Sequence, residues 1–237
     1  MTRIWLWWIG ANVVGEVVGF GAAGALMAAL GAAVDGASGV AALVLAVGMV
    51  LVAGVVEGSA VGYAQWRMLR RLLPELPRGE WILASVAGGT LAWAAGMAIG
   101  TTAADLRGGS GAGEAPPLRL MLGGSALIGI VAGALLSAAQ WLVLRRHARG
   151  TGWWVPAHCA GWAVGMVVAI AGLDPVFDSE SVGIQIGGSV LVGLAMGASA
   201  AAISGLGLRT LAHQREAGRR SDDRRPHTAD VLTLANR

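Results

Sequence analysis

The sequence predicts an all-α integral membrane protein in which six transmembrane helices form three tandem helical hairpins. The first observation is composition, because 55% of the 237 residues are hydrophobic and only 13% are charged, outside the usual range of soluble proteins. The second is length, since apolar runs of about 20 residues can cross a hydrocarbon core of roughly 30 Å as helices. The third is a sequence motif that returns three times along the chain.

Each of the six predicted helices corresponds to one apolar run, at 4–30, 39–69, 81–100, 121–144, 153–172 and 183–208. The first run is too long for a cleaved signal peptide and lacks a clear cleavage site, so it is expected to be the first membrane helix. We expect a single membrane domain over 1–210, made of hairpins 1–72, 73–146 and 147–210. The polar tail at 211–237 is expected to be disordered beyond a fraying helix end.

The repeated motif ends the second helix of each hairpin. It reads GVVEGSAVGYAQWRMLRR at Gly54–Arg71, returns as GIVAGALLSAAQWLVLRR at Gly129–Arg146, and persists in a worn form at Gly193–Arg209. The first helices of the hairpins share an equally spaced tryptophan, at Trp8, Trp81 and Trp154. Because tandem copies of one unit pack on one another, the repeat predicts a pseudo-threefold bundle, with a sequential stack of hairpins as the alternative.

The two well-kept helix ends, Gln-Trp-x-x-Leu-Arg-Arg at 65–71 and 140–146, are each followed by a helix that begins with tryptophan. In this respect the chain resembles a loose group of uncharacterised multi-helix bacterial integral membrane proteins. The resemblance covers about 54–170 and implies a multi-helix membrane fold. It carries no activity to this chain.

The arginines predict the orientation. All 17 basic residues are arginine, and only Arg107 and Arg119 lie on one side of the predicted membrane. The positive-inside rule then places both termini in the cytoplasm. The arginine-only composition, with its many alanines and glycines, is typical of a GC-rich bacterial genome, so we expect the bacterial cytoplasmic (inner) membrane. Tryptophans at the same helix ends are expected to form an interfacial belt: Trp5, Trp7, Trp8, Trp66, Trp81, Trp141, Trp153 and Trp154.

Small residues recur four apart on the second helix of each hairpin. These stripes are Gly54/Gly58/Gly62, Gly129/Gly133/Ser137 and Gly193/Gly197/Ala201. Because helices in lipid associate through close backbone approach, the stripes predict helix packing, with the lining of a pore or cleft as the alternative.

Polar residues near the arginine-rich end form a second set. Gln65, Gln140 and Ser204 continue the stripes, while Asn12, Ser85 and His158 occupy equivalent positions on the other three helices. Interhelical hydrogen bonding is the expected role. The alternative is a polar ring that gates a central path. Metal or haem ligation by His158 is disfavoured, because no second histidine lies at a comparable depth.

Each well-kept helix end also carries a tryptophan followed by two arginines. These residues are Trp66, Arg70, Arg71, Trp141, Arg145 and Arg146. They are expected to anchor the helices at the membrane interface and to meet anionic lipid headgroups, with specific lipid or ligand binding as the sharper alternative.

Two acidic residues break the repeat inside the first hairpin. Glu16 and Glu57 lie about 15 Å deep by helical rise, on helices that a short loop makes antiparallel neighbours. Acidic residues at such depth favour a functional role, and two close carboxyl groups can share a proton. We therefore predict a proton or ion pathway at Glu16 and Glu57, with Asn12 one turn away. The simpler alternatives are carboxyl groups bonded to the backbone and contacts with a partner subunit.

Two functions are compatible with this sequence. One is a small transporter or permease-like protein with a proton-linked carboxylate pair. The other is a non-catalytic scaffold or accessory subunit that binds helices through its glycine stripes. Carboxylates in a water-reachable cavity would favour the first, and a groove sealed by side chains would favour the second. No motif indicates an enzyme, a cofactor, a metal site or nucleic-acid binding. The expected partners are the bilayer, anionic headgroups, and a protein partner or a second copy of the chain.

Overall fold

The computed structural model describes residues 2–106, 117–177 and 181–223. Its seven α-helices are α1 (Thr2–Asp35), α2 (Gly39–Leu69), α3 (Arg78–Leu106), α4 (Leu118–His147), α5 (Trp154–Phe177), α6 (Val182–Ser204) and α7 (Leu208–Asp223). Short 3₁₀ turns at Thr151–Trp153 and Gly205–Gly207 precede α5 and α7. Six of the helices are long and apolar enough to cross a membrane, which confirms the predicted multi-pass architecture.

The six long helices close into a ring. Each packs mainly against its neighbours in chain order, and α6 returns to pack along α1. A sequential stack would leave α1 and α6 apart, so the described helices adopt the closed arrangement. Side chains of α1, α3 and α5, which alternate around this ring, can meet one another only through its interior.

Glycines set the close spacing between α2 and α3 and between α4 and α5. A Cβ atom added to Gly54 would lie 2.5 Å from the Cα atom of Thr90, and one added to Gly58 would lie 2.6 Å from the Cα atom of Val86. Gly129 makes the equivalent approach to Trp162 on α5. Since the obstructing atoms are backbone atoms, any larger residue would push the helices apart. The first two stripes therefore pack against helices of the same chain.

The first part of the predicted tail, residues 211–223, is helical in α7 and packs against the ring. Leu208, Leu211 and Ala212 are buried in the same cluster as Trp8 and Trp154. The Gln214 amide also donates a hydrogen bond to the backbone carbonyl of Arg149, at 2.7 Å. Apolar residues three and four apart on an otherwise charged segment thus hold it against the arginine-rich end of the ring. Residues 224–237 of the predicted tail lie outside the described residues.

Candidate functional site

Three tryptophans meet inside the ring at its arginine-rich end. The ring centroid of Trp154 lies 5.5 Å from that of Trp8 and 5.6 Å from that of Trp81, both in edge-to-face geometry. None of the three side chains has any exposed surface. We call this cluster (Trp8, Trp81 and Trp154) the tryptophan triad. Because its members come from alternate helices, it closes the interior of the ring.

The prediction of an interfacial belt is wrong for the triad, since these indoles cannot reach headgroups. An interfacial position remains possible for exposed members of the predicted belt, such as Trp7, whose side chain is 57% exposed. A tryptophan at a helix end looks the same in the sequence whether its side chain faces the headgroups or the interior of the ring. Only the direction of the side chain around the helix distinguishes the two locations.

The residue four positions after each triad tryptophan bonds back to that tryptophan. Asn12 and Ser85 donate to the backbone carbonyls of Trp8 and Trp81, each at 2.9 Å. The Nδ1 atom of His158 lies 2.8 Å from the carbonyl oxygen of Trp154. Because a carbonyl oxygen only accepts, Nδ1 carries the proton, and Nε2 of a neutral ring is an acceptor. The three predicted polar residues therefore lie in one layer next to the triad.

Two glutamines connect this layer across the ring. Gln65 donates to the side-chain oxygen of Asn12 at 2.8 Å, and Gln140 donates to the side-chain oxygen of Gln65 at 2.7 Å. Gln140 also donates to Ser85 at 2.9 Å. Helices α2 and α4 are separated by α3 in the ring, so this bond between glutamines crosses the interior. The structure thus brings four predicted residues, Asn12, Gln65, Ser85 and Gln140, into one buried network.

The last predicted member of the set, Ser204, lies beside the network without being bonded to the glutamines in the described residues. Its hydroxyl accepts a hydrogen bond of 3.1 Å from the indole N–H of Trp8. Several polar atoms of this region are buried without a partner in the described part of the chain: Oε1 of Gln140, Nε2 of His158, and Nε1 of Trp81 and Trp154. The interior of the ring next to the triad therefore contains buried polar atoms whose hydrogen-bonding capacity is not satisfied within the described residues.

The predicted carboxyl pair lies farther from the arginine-rich end than the polar layer. Glu16 is 2% exposed and Glu57 is 5% exposed, so side chains seal both from water. They lie on the adjoining helices α1 and α2. Each contacts a glycine of a neighbouring helix in the ring: Glu57 contacts Gly19 on α1, and Glu16 contacts Gly197 on α6.

The two carboxyl groups differ in their bonding. Oε2 of Glu57 accepts a hydrogen bond of 2.5 Å from the indole N–H of Trp93 on α3. Oε2 of Glu16 is buried with no hydrogen-bond partner among the described residues. A buried carboxyl oxygen without a partner is costly, which makes Glu16 the least satisfied polar group of the pair.

Sequence reasoning missed Trp93. It lies within the apolar third helix, away from the helix ends where tryptophan carries a recognisable membrane signal. The only clue was its unusual depth, since a tryptophan far from both interfaces needs a partner for its N–H group.

At the surface, the predicted anchor residues contact one another differently at the two helix ends. Arg70 lies over the ring of Trp66, and Arg71 lies over that of Trp7. At the second end, Arg145 lies over Trp141, but Arg146 forms an ion pair with Glu80.

Comparison of the chain with protein-family models, with curated proteins and with solved structures finds no match.

Proposed function

We propose that this multi-pass membrane protein is a small proton-linked transporter, in which Glu16 and Glu57 bind and release the proton. The observation that carries the proposal is the placement of two acidic side chains from α1 and α2 inside a closed ring of membrane helices. Ionisable groups at such depth are costly and mark proton or ion pathways in membrane proteins. The proposal includes no enzymatic step.

The arrangement of the protein in its membrane belongs to the same proposal. Three tandem hairpin repeats would give the ring a pseudo-threefold axis, with the triad and the polar layer in its interior. Both termini would lie in the cytoplasm of a bacterium, with the chain in the inner membrane, because the arginines gather at that end of the helices.

In this scheme the described conformation is a closed state. The triad blocks the interior at the arginine-rich end, and the carboxyl groups are 2% and 5% exposed. Transport requires the helices to separate so that water reaches the pair from one side at a time. A proton shared by the carboxyl groups of these adjoining helices would change the free energy of the closed state when it is gained or lost.

A liposome experiment tests the proposal. Purified protein is reconstituted with a pH-sensitive dye inside, and an inward proton gradient is applied. Proton flux is recorded alone and with a panel of amino acids, sugars, organic cations and metal salts. We expect flux above that of protein-free liposomes, and its loss in Glu16→Gln and in Glu57→Gln.

The matched control is Glu75→Gln, which removes an exposed carboxyl group from the loop between α2 and α3. It should behave as wild type. The proposal fails if wild-type protein moves no protons under any condition, or if both buried variants transport normally.

A second candidate function is a non-catalytic scaffold or accessory subunit, which the sealing of both carboxyl groups favours. A partner would have to use the outer surface of the ring, because Gly54, Gly58, Gly129 and Gly133 already contact helices of this chain. Purification in mild detergent followed by mass spectrometry separates the candidates. A stoichiometric partner together with flux-free liposomes would establish the accessory role.

A further inference from the structure

A tryptophan at the end of α2 organises a compact basic site. The indole N–H of Trp66 donates to the backbone carbonyl of Leu76 at 3.0 Å, which ties the loop between α2 and α3 to the helix end. Leu72 and Leu76 are buried and hold the same loop from the inside. This loop returns the chain so that Arg78, at the start of α3, reaches the indole.

Two guanidinium groups share this one indole. The Cζ atom of Arg70 lies 5.1 Å from the ring centroid of Trp66, and that of Arg78 lies 5.9 Å from it. Both arginines are exposed. Stacking occupies the flat face of a guanidinium group and leaves its N–H edge free to bind an oxyanion. We call this site (Trp66, Arg70 and Arg78) the Trp66 clamp.

No carboxylate forms an ion pair with Arg70 or Arg78 within the described residues. Their one ion pair joins Arg146 to Glu80, at the end of α4. That second helix end therefore keeps a single unpaired arginine over its tryptophan, Arg145 over Trp141 at 5.0 Å. Two copies of the same sequence motif thus differ at the indole, because Arg78 of the first loop lies over Trp66, whereas Arg149 of the second loop does not lie over Trp141 in the described residues.

We propose that the Trp66 clamp binds the headgroup phosphate of an anionic phospholipid, and that the corresponding end of α4 does not. The phosphate would accept charge-assisted hydrogen bonds from both guanidinium groups, whose side chains are already ordered by the indole. This site is separate from the carboxyl pair, so the inference does not depend on proton-linked transport.

A lipid fits this site better than a soluble phosphate because an apolar path leads away from it along α2. Val52, Val55 and Tyr63 are about half exposed and fall on one face of the helix, at successive spacings of three and eight residues. The ring centroid of Tyr63 lies 6.0 Å from that of Trp66. Acyl chains can lie along this face while the headgroup meets the clamp.

Native mass spectrometry in mild detergent tests the inference, with dioleoyl phosphatidylglycerol as the probe and dioleoyl phosphatidylcholine as the neutral comparison. The wild-type protein should bind the anionic lipid at least about tenfold more tightly than the neutral one. The double variant Arg70→Gln/Arg78→Gln should lose about tenfold or more in affinity for phosphatidylglycerol.

The matched control is Arg145→Gln/Arg149→Gln, which removes two exposed positive charges from the second helix end. It should lose no more than about threefold. Equal losses in the two double variants would mean general surface attraction and would overturn the inference, as would equal affinity for the two lipids. Displacement of the lipid by millimolar inorganic phosphate would overturn the lipid assignment in favour of a soluble anion.

Size-exclusion profiles and circular dichroism verify that the variants are folded. The charge-conserving variant Arg70→Lys/Arg78→Lys provides a second measurement if the glutamine variant cannot be purified. Lysine keeps the charge but lacks the planar fork, so we expect binding at least about threefold weaker than wild type. Wild-type affinity in this variant would overturn the clamp geometry.

Discussion

Replacing Gly58 by alanine should separate α2 from α3 and destabilise the protein. The added Cβ atom would lie 2.6 Å from the Cα atom of Val86 and 2.7 Å from the carbonyl oxygen of Ser85. Carbon atoms in contact normally lie about 3.5–4.0 Å apart, so the helices must move by roughly 1 Å. Overpacking of this kind costs about 1–3 kcal/mol. In a chain of this size, that corresponds to a decrease in Tm of roughly 2–12 °C.

The assay is thermal unfolding in detergent, followed by circular dichroism and by loss of monodisperse protein. The matched control is Gly48→Ala on the same helix, where an added Cβ atom meets nothing within 4 Å. That variant should unfold at the wild-type temperature or slightly above it, because alanine favours helix by about 1 kcal/mol over glycine. If Gly58→Ala is as stable as Gly48→Ala, the close α2–α3 packing described above is incorrect.

Two further predictions concern the ring interior and its cover. Trp93→Phe removes the N–H group that donates to Glu57. Since a hydrogen bond to a charged group contributes about 1.5–3 kcal/mol, we expect roughly tenfold faster labelling of Glu57 by a membrane-permeant carbodiimide, measured by peptide mass spectrometry. Unchanged labelling would contradict that hydrogen bond. Leu211→Ser places a hydroxyl group in the cluster that holds α7, where Leu211 is 1% exposed. The substitution removes about 1.5–3 kcal/mol of hydrophobic stabilisation, so limited proteolysis should cut α7 at least several-fold faster. His213→Ser, at an exposed position of the same helix, should be cut at the wild-type rate.

The sequence predicted the membrane helices well because their signal is local. In lipid every backbone polar group must be paired within the segment, so a long apolar run has one available structure. The same reasoning gave the packing role of Gly54 and Gly58, since small residues four apart lie on one helix face. The expected depth of Glu16 and Glu57 in the membrane depends only on helical rise, and it stays a prediction.

The candidate site was predictable in its membership but not in its connections. Asn12, Gln65, Ser85 and Gln140 were grouped from equivalent positions in the repeat, and they are joined by hydrogen bonds in the structure. Which glutamine would donate to which side chain depends on rotamers and on the distance across the ring. Neither quantity has a signal in the sequence.

The sequence by itself therefore determined how many helices are long and apolar enough to cross a membrane, and where their small faces lie. Only the tertiary structure decided that the triad tryptophans turn inward, that Trp93 meets Glu57, and that α7 covers one end of the ring. The physical reason is rotational. Hydropathy and helical rise fix the position of a residue along the membrane normal, whereas its direction around the helix axis is fixed by packing against helices distant in sequence.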